Sequence, residues 1–237
     1  MALKLSTNAR ITWCPGCPNG AILVAFRQAV EELVEQGKVR LENIVALSGI
    51  GCHGKITDYL NLNSFTSLHG RVIPTMTGVK CANPDLLVIG FSGDGDSFSE
   101  GLDHLLHAAR RNSDIKLFLH NNQIFALTTG QVTALSPKGM KGKSTPLGSI
   151  EEPFDACSLV KQAGATFVAR AYAGDIVKTK EVMLAAMTHK GFALVEIIQP
   201  CITFFDTRDY WQEQIKAGKV PLGIIHQETK PTFEEFL

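Results

Sequence analysis

A doubly wound, mostly parallel α/β sheet with helices on both faces is the fold class this sequence predicts, from three observations. Short apolar runs rich in β-branched residues recur at 43–50, 86–91, 115–120, 166–171 and 192–198. They are too short for helices and mostly too apolar to alternate, which suits strands buried on both faces. Segments with helical spacing of apolar residues lie between them, and strand–helix alternation implies parallel pairing. Finally, 237 residues, 45% hydrophobic and 19% charged, suffice for one large domain with its own core.

The first helix is expected over 19–36. Ile22, Leu23, Phe26, Val30 and Leu33 recur along it, Asn19 is the expected N-cap, and Gly37 offers a stop. A second helix is expected over 97–111, directly after the strand at 86–91. Residues 128–153 carry Gly, Pro, Ser and Thr together with Lys138, Lys141 and Lys143, and read as a long functional loop over the sheet. Helices at 155–163 and 175–190 flank the strand at 166–171. The second of these sets Ile176, Val177, Val182, Met183 and Met187 on one side. After Cys201 the pattern weakens, so 1–203 is expected to be the working domain. Residues 204–237 form an extension packing on it or on a partner subunit.

Composition removes several function classes. Basic and acidic residues balance at 23 each with no basic run, so nucleic acid is not an expected partner. No apolar stretch approaches the roughly 20 residues of a membrane span. The start, Met1 to Thr12, lacks the apolar core of a signal peptide, and a cytoplasmic location is expected. Six cysteines are too few for a disulfide scaffold and point instead to metal, redox or burial.

The strongest local signal is Gly93-Asp94-Gly95-Asp96-Ser97, placed where a strand ends and a helix opens. Glycines there let backbone N–H groups approach a phosphate, and a helix N-terminus adds positive potential. Two aspartates would repel a diphosphate unless a divalent cation intervened, so the composition asks for Mg²⁺. A second half-site is expected at the end of another strand, and Asn121-Asn122 closes the run at 115–120. The Asn122 side-chain oxygen and a following carbonyl are suitable hard ligands. An EF-hand starting at Asp94 fails, because its positions five, six and twelve hold Phe98, Ser99 and Leu105. A Walker loop ending in Gly142-Lys143-Ser144 fails on Pro137.

The cysteines form the second constellation. Cys14-Pro15-Gly16-Cys17 has the gap that lets two thiolates face one metal centre, at the start of the first helix. Cys52 and Cys201 each follow the end of an expected strand, and so fall on the carboxyl edge of a parallel sheet, beside Asp94 and Asn122. A zinc site is the competing reading, although the sequence steps of 35 and 149 residues are unlike paired zinc ligands. Cys81 and Cys157 have no such placement and read as small buried thiols.

Gly-Asp-Gly followed by Asn-Asn resembles the thiamine diphosphate fold signature. That resemblance implies Asp94 and Asn122 as side-chain ligands of Mg²⁺ and the carbonyl of Ile124 as a third. From Trp13 to Cys201 the chain further resembles the β subunit of 2-oxoacid:ferredoxin oxidoreductases. The segments that carry this are Trp13-Cys14-Pro15-Gly16-Cys17, Gly49-Ile50-Gly51-Cys52-His53-Gly54-Lys55, Leu68-His69-Gly70-Arg71, Ala82-Asn83-Pro84-Asp85, the Gly93 and Asn121 motifs, Thr129-Gly130-Gln131 and Gln199-Pro200-Cys201. Pro18 and Phe125-Ala126-Leu127-Thr128 depart from the usual pattern without removing a ligand.

By that resemblance, Cys14, Cys17, Cys52 and Cys201 would hold one [4Fe–4S] cluster. Gly51, Cys52, His69, Gly93, Asp94, Gly95, Asp96, Asn122, Ile124, Ala126 and Leu127 would surround the cofactor, His69 near its ring. Lys55 would meet the substrate carboxylate. The implied reaction is oxidative decarboxylation of a 2-oxoacid with coenzyme A to acyl-CoA and CO₂, with electrons passing to ferredoxin. The glutamate that activates the cofactor ring has no domain to sit on here, so a separate α subunit is implied. Two rivals remain: a non-oxidative thiamine diphosphate-dependent decarboxylase subunit, and a non-catalytic assembly subunit with a structural cluster.

Overall fold

Strands that are apolar on both sides need cover on both sides, and the helices between them supply it. The computed structural model describes residues 3–237; Met1 and Ala2, the first residues of the start that lacks a signal-peptide core, lie outside the described residues. In chain order the elements are α1 (Asn19–Glu35), β1 (Ile44–Ser48), β2 (Asn63–Thr66), α2 (Val72–Ala82), β3 (Leu87–Gly93), α3 (Leu102–Arg111), β4 (Lys116–Asn121), β5 (Ile124–Phe125), β6 (Gln131–Val132), α4 (Ala156–Gln162), β7 (Phe167–Tyr172), α5 (Ile176–Thr188), β8 (Ala193–Ile198), α6 (Arg208–Lys216) and β9 (Gly223–Gln227). Seven strands form one sheet in the order β2-β1-β3-β4-β8-β7-β9. All its pairings are parallel except β7 with β9.

Period-two alternation sends successive strand residues into two cores. On one face Ile89, Phe91, Phe118 and Val195 meet Phe26 and Val30 of α1 and Met183 of α5. On the other, Val88, Leu117 and Leu194 meet Met76 of α2, Leu105 of α3 and Val160 of α4. Phe26 stands edge-on to Phe91 at 4.9 Å and to Phe118 at 6.0 Å. Each such buried side chain contributes about 1.5–3 kcal/mol. A Cβ on Gly90 would lie 2.2 Å from the Met76 sulfur, so its absence lets α2 lie directly on β3.

Several expectations are corrected. Asn19 is no N-cap: Pro18 holds that position without a side-chain cap, and Asn19 is the fully buried first residue of α1. Its side chain is engaged elsewhere, with Oδ1 2.7 Å from His120 Nδ1. Gly37, at φ +67°, does end the helix in the left-handed region glycine favours. The helix expected at 97–111 is interrupted: Gly95–Ser99 form one π turn, and α3 begins only after Gly101. A Cβ on Gly101 would sit 2.6 Å from the Gly70 carbonyl, so the break accommodates a crossing chain. Val177 is 64% exposed and leaves the apolar side of α5. Cys81 is half-buried rather than buried.

The pattern also missed β2, a fully exposed edge strand, and α2, whose Pro74 and Gly78 blur its periodicity. The polar tail holds α6 and β9, and β9 joins the main sheet. The Asn112 amide donates to the carbonyls of Lys230 and Pro231, each at 3.1 Å, tying the tail to the same domain.

Candidate active site

The carboxyl ends of β3 and β4 lie side by side, with Gly93 in register with His120. Asp94 therefore emerges next to Asn122. The Asn122 N–H donates to Asp94 Oδ1 at 3.3 Å, and the Thr133 hydroxyl donates to Oδ2 at 2.5 Å. Asp94 is only 1% exposed. Burial pushes its carboxyl up to about 7, and the hydrogen bonds from Thr133 and Asn122 only partly oppose this. Asn122 Oδ1 accepts from the Ile124 N–H at 3.0 Å, closing a tight turn that puts Gln123 at φ +63°.

Around this pair lies a cavity of about 90 Å³. All eleven residues expected around the cofactor line it: Gly51, Cys52, His69, Gly93, Asp94, Gly95, Asp96, Asn122, Ile124, Ala126 and Leu127. The glycines leave room for rings as well as for a ligand. A Cβ on Gly51 or Gly93 would fall 2.8 Å from the His53 ring, and one on Gly95 would fall 2.2 Å from Phe125. Phe125 in turn lies tilted against His69, ring centroids 5.8 Å apart.

The two aspartates divide their work. Asp96 Oδ1 accepts from the N–H groups of Gly70 (2.7 Å) and Ile50 (3.3 Å), and Oδ2 from the Ser92 hydroxyl (2.6 Å). Nε2 of His53 and of His69 lie 3.5 and 3.9 Å from the same carboxylate. Burial would raise this carboxyl, but His53, the Gly70 N–H and the Ser92 hydroxyl hold it below its ordinary value. Asp96 thus clamps the loops after β1 and β2 to the turn after β3. Asp94 makes no ion pair among the described residues, and no cation is among the causes that shift it.

A second cavity of about 160 Å³ adjoins the first, sharing Cys52, Asn122, Ala126 and Leu127 as a common wall. Cys14, Cys17, Cys52 and Cys201 all line it, as does Lys55. The Cys17 N–H donates to the Cys14 carbonyl at 3.0 Å, folding that pair into a turn. The Trp13 indole donates to the Cys52 carbonyl at 2.6 Å, fixing the pair against the loop after β1. Burial pushes the Cys52 thiol up to about 11 and raises Cys17 too, and each is raised further by the other cysteines of the set. Among the described residues, no three of His, Cys, Asp and Glu stand close enough to hold a single metal ion. Lys55 Nζ donates to the Thr12 carbonyl at 3.2 Å. Cys157 is remote, its thiol 3.1 Å from Glu196, and Cys81 sits on α2.

Reasoning from sequence missed Thr133 and His120, and it read Asn19 only as a cap. Thr133 lies in the long loop, where nothing marked one threonine above another. Asn19 and His120 meet across 101 residues of chain, a juxtaposition that only the packing of α1 on β4 reveals.

Residues 49–197 match the family model for the thiamine pyrophosphate enzyme, C-terminal TPP binding domain. The 2-oxoacid:ferredoxin oxidoreductase subunit beta of a Sulfolobus species is 42% identical over 260 residues, covering 94% of this chain and 84% of its own. The chain belongs to that family. Among other relatives, the 2-oxoglutarate synthase subunit KorB of Archaeoglobus fulgidus is 41% identical over 191 residues, 81% of this chain and 70% of the relative. The structure of 2-oxoglutarate:ferredoxin oxidoreductase from Magnetococcus marinus, with 2-oxoglutarate, coenzyme A and succinyl-CoA bound, matches with a TM-score of 0.91 at 32% identity. That match spans 98% of this chain and 86% of that one. The parallel fold and the family are thus both as the sequence motifs implied. No helix among the described residues is long and apolar enough to cross a membrane.

Proposed function

We propose that this β subunit, with an α subunit partner, carries out thiamine diphosphate-dependent oxidative decarboxylation of a 2-oxoacid with coenzyme A, giving acyl-CoA and CO₂ and passing electrons to ferredoxin. The observation that carries this reading is the wall shared between the Asp94–Asn122 cavity and the four-cysteine cavity. A buried carboxylate that makes no ion pair among the described residues suits Mg²⁺, for which Asp94, Asn122 and the Ile124 carbonyl would be the protein ligands. Four thiols lining one cavity suit a cluster in which each iron takes its own thiolate. When bound, these groups supply decarboxylation chemistry and a one-electron path out.

The chain's own residues hold and shape. Gly93 and Gly95 keep the diphosphate end of the cavity open, and Asp96 locks the surrounding loops through its backbone N–H partners. Ala126, Leu127 and Phe125 give the site an apolar lining. Lys55, on the cysteine side, offers a positive charge for the substrate carboxylate. Anaerobic co-purification with the α subunit, iron and sulfide analysis, and a 2-oxoacid panel with a low-potential dye form the test. Dye reduction that needs both coenzyme A and a 2-oxoacid is the expected result. Release of an aldehyde without dye reduction would favour the non-oxidative decarboxylase, and iron without any turnover the assembly subunit.

A further inference from the structure

We propose that Glu196 is a positioning residue for the cation site: it orients the Asn121 amide, and Asn121 in turn shapes the backbone turn that carries Asn122 and the Ile124 carbonyl. The inference rests on the Mg²⁺ ligands proposed above. In the sheet, β8 sets Glu196 between Leu119 of β4 and Arg170 of β7. Asn121, two residues beyond Leu119, shares that face. Glu196, Arg170 and Asn121 are all buried, so their polar atoms need partners inside the protein. They find one another. Glu196 Oε1 accepts from Asn121 Nδ2 at 2.7 Å, and Oε2 accepts from Arg170 Nε at 2.7 Å and from the Cys157 thiol at 3.1 Å. Arg170 Nη2 donates onward to Asp155 Oδ2 at 2.9 Å.

The direction of the Asn121 amide follows from this inventory. Three donors converge on Glu196, a guanidinium among them, so both its oxygens accept and the Asn121 nitrogen must face it. The Asn121 oxygen is thereby turned toward the chain beyond β4, where it accepts from the Gln123 N–H at 3.2 Å. One residue on, Asn122 Oδ1 repeats the pattern with the Ile124 N–H at 3.0 Å. The Ser136 hydroxyl donates to the Gln123 carbonyl from the long loop. Together these bonds hold Gln123 at φ +63°, a left-handed conformation that a residue with a side chain adopts only at a cost. A reversed Asn121 amide would set its NH₂ against the Gln123 N–H and release the turn.

A buried ion pair is a weak device for stability, since apolar residues of similar volume often serve as well. Here one oxygen of the pair is spent on Asn121, which gives the pair a use that apolar residues could not supply. Mg²⁺ demands near-octahedral oxygen geometry, whereas Ca²⁺ accepts a looser arrangement. Loss of the turn therefore falls more heavily on Mg²⁺.

The test is calorimetric titration of thiamine diphosphate into the anaerobically purified complex with the α subunit, at graded Mg²⁺ or Ca²⁺ and without substrate. In Glu196→Gln the new amide has one oxygen for two donors; Arg170 takes it, and the new NH₂ turns the Asn121 amide around. The Mg²⁺ concentration for half-saturation is expected to rise about tenfold, and that of Ca²⁺ less. Asn121→Asp, added to Glu196→Gln, supplies acceptors for both the new NH₂ and the Gln123 N–H while conserving the local charge. Its effect should be about threefold or more better in that background than in the wild type. A negative charge acting on the cation alone would have the same effect in both. A merely structural role would lower thermal stability and leave the Mg²⁺ requirement of the folded complex unchanged. An unchanged requirement in Glu196→Gln, or equal effects of Asn121→Asp in the two backgrounds, overturns the inference while leaving the cation site standing. If Glu196→Gln fails to fold, Asn121→Leu keeps the Glu196–Arg170 pair, and an unchanged requirement there overturns the inference equally. A wild-type complex that binds thiamine diphosphate without a divalent cation overturns the cation site itself, and the inference with it.

Discussion

Thr133 and Asp94, 39 residues apart, meet at 2.5 Å, hydroxyl to carboxylate, inside the protein. The bond ties the long loop after β6 to the turn after β3. The Ser136 hydroxyl extends the tie by accepting from the Thr133 N–H at 2.7 Å. The start of the long loop and the turn after β3 are therefore joined at Asp94.

Burial makes the Asp94 carboxylate costly without a cation, and the Thr133 bond only partly relieves this. Its folded value of about 7 lies above the ordinary 3.8. The associated stability is fully present below the unfolded value and is lost as pH rises through about 7. Asp94→Asn should then stabilise the cation-free chain at pH 8, by roughly 1–4 kcal/mol, while abolishing Mg²⁺-dependent thiamine diphosphate binding. Urea melts and calorimetric titration read the two effects. A less stable variant, or one binding cofactor like the wild type, would refute the assignment. Asn122→Ala should weaken binding less, since water can replace a neutral ligand.

Much of this site was legible because its chemistry is local. Gly93 to Asp96 and Asn121-Asn122 are contiguous motifs at strand ends, and a parallel sheet brings strand ends to one edge. The cysteines followed the same logic. What stayed hidden was decided by side-chain direction. Asp96 reads like a twin of Asp94, yet two residues along a π turn its carboxylate meets backbone N–H groups instead of facing the Asn122 turn. Asn19 reads as a cap because capping is a local rule, and only His120, brought by a distant strand, overrides it. β9 was missed because its residues are only partly buried at a sheet edge, where apolar patterning fades.

The size of the cofactor cavity yields a second prediction. About 90 Å³ is too little for a complete cofactor, given that ligand pockets usually run to about 300–1,000 Å³. Under the proposed function, the α subunit would supply the remaining wall. The purified chain alone should give no turnover with any 2-oxoacid, and adding the α subunit should restore it. Robust turnover by the chain alone would sink the two-subunit reading.

The cysteines divide cleanly by position. Serine at Cys14, Cys17, Cys52 or Cys201 should lower bound iron and slow dye reduction, because each removes one wall thiol of a single cavity. The same change at Cys81 or Cys157 should do neither, since these thiols sit on α2 and α4 away from it. Anaerobic protein should be brown and should bleach in air. A colourless preparation with stoichiometric zinc would fit the competing metal instead.

At the opposite, amino edge of the sheet, Asp114 supports a prediction about acid stability. It accepts from Lys80 Nζ at 2.8 Å, from the Gly191 N–H at 3.0 Å and from Lys116, itself 2% exposed. Burial would raise the Asp114 carboxyl, but the charge of Lys116 and these hydrogen bonds outweigh it and hold it down to about 2. The folded value is below the unfolded one, so the stabilisation is present above pH 3.8 and is lost as pH falls through about 2. It amounts to about 2 kcal/mol. Asp114→Asn should cost roughly 3–5 kcal/mol at pH 7, because it strands a buried lysine. It should also flatten the loss of stability between pH 4 and 2. Urea unfolding of both proteins across that range reads the difference, and parallel acid limbs would show that Asp114 is not the responsible group. Iron content and cofactor binding of the folded variant should be unchanged, since Asp114 lies at the other end of β4 from Asn122.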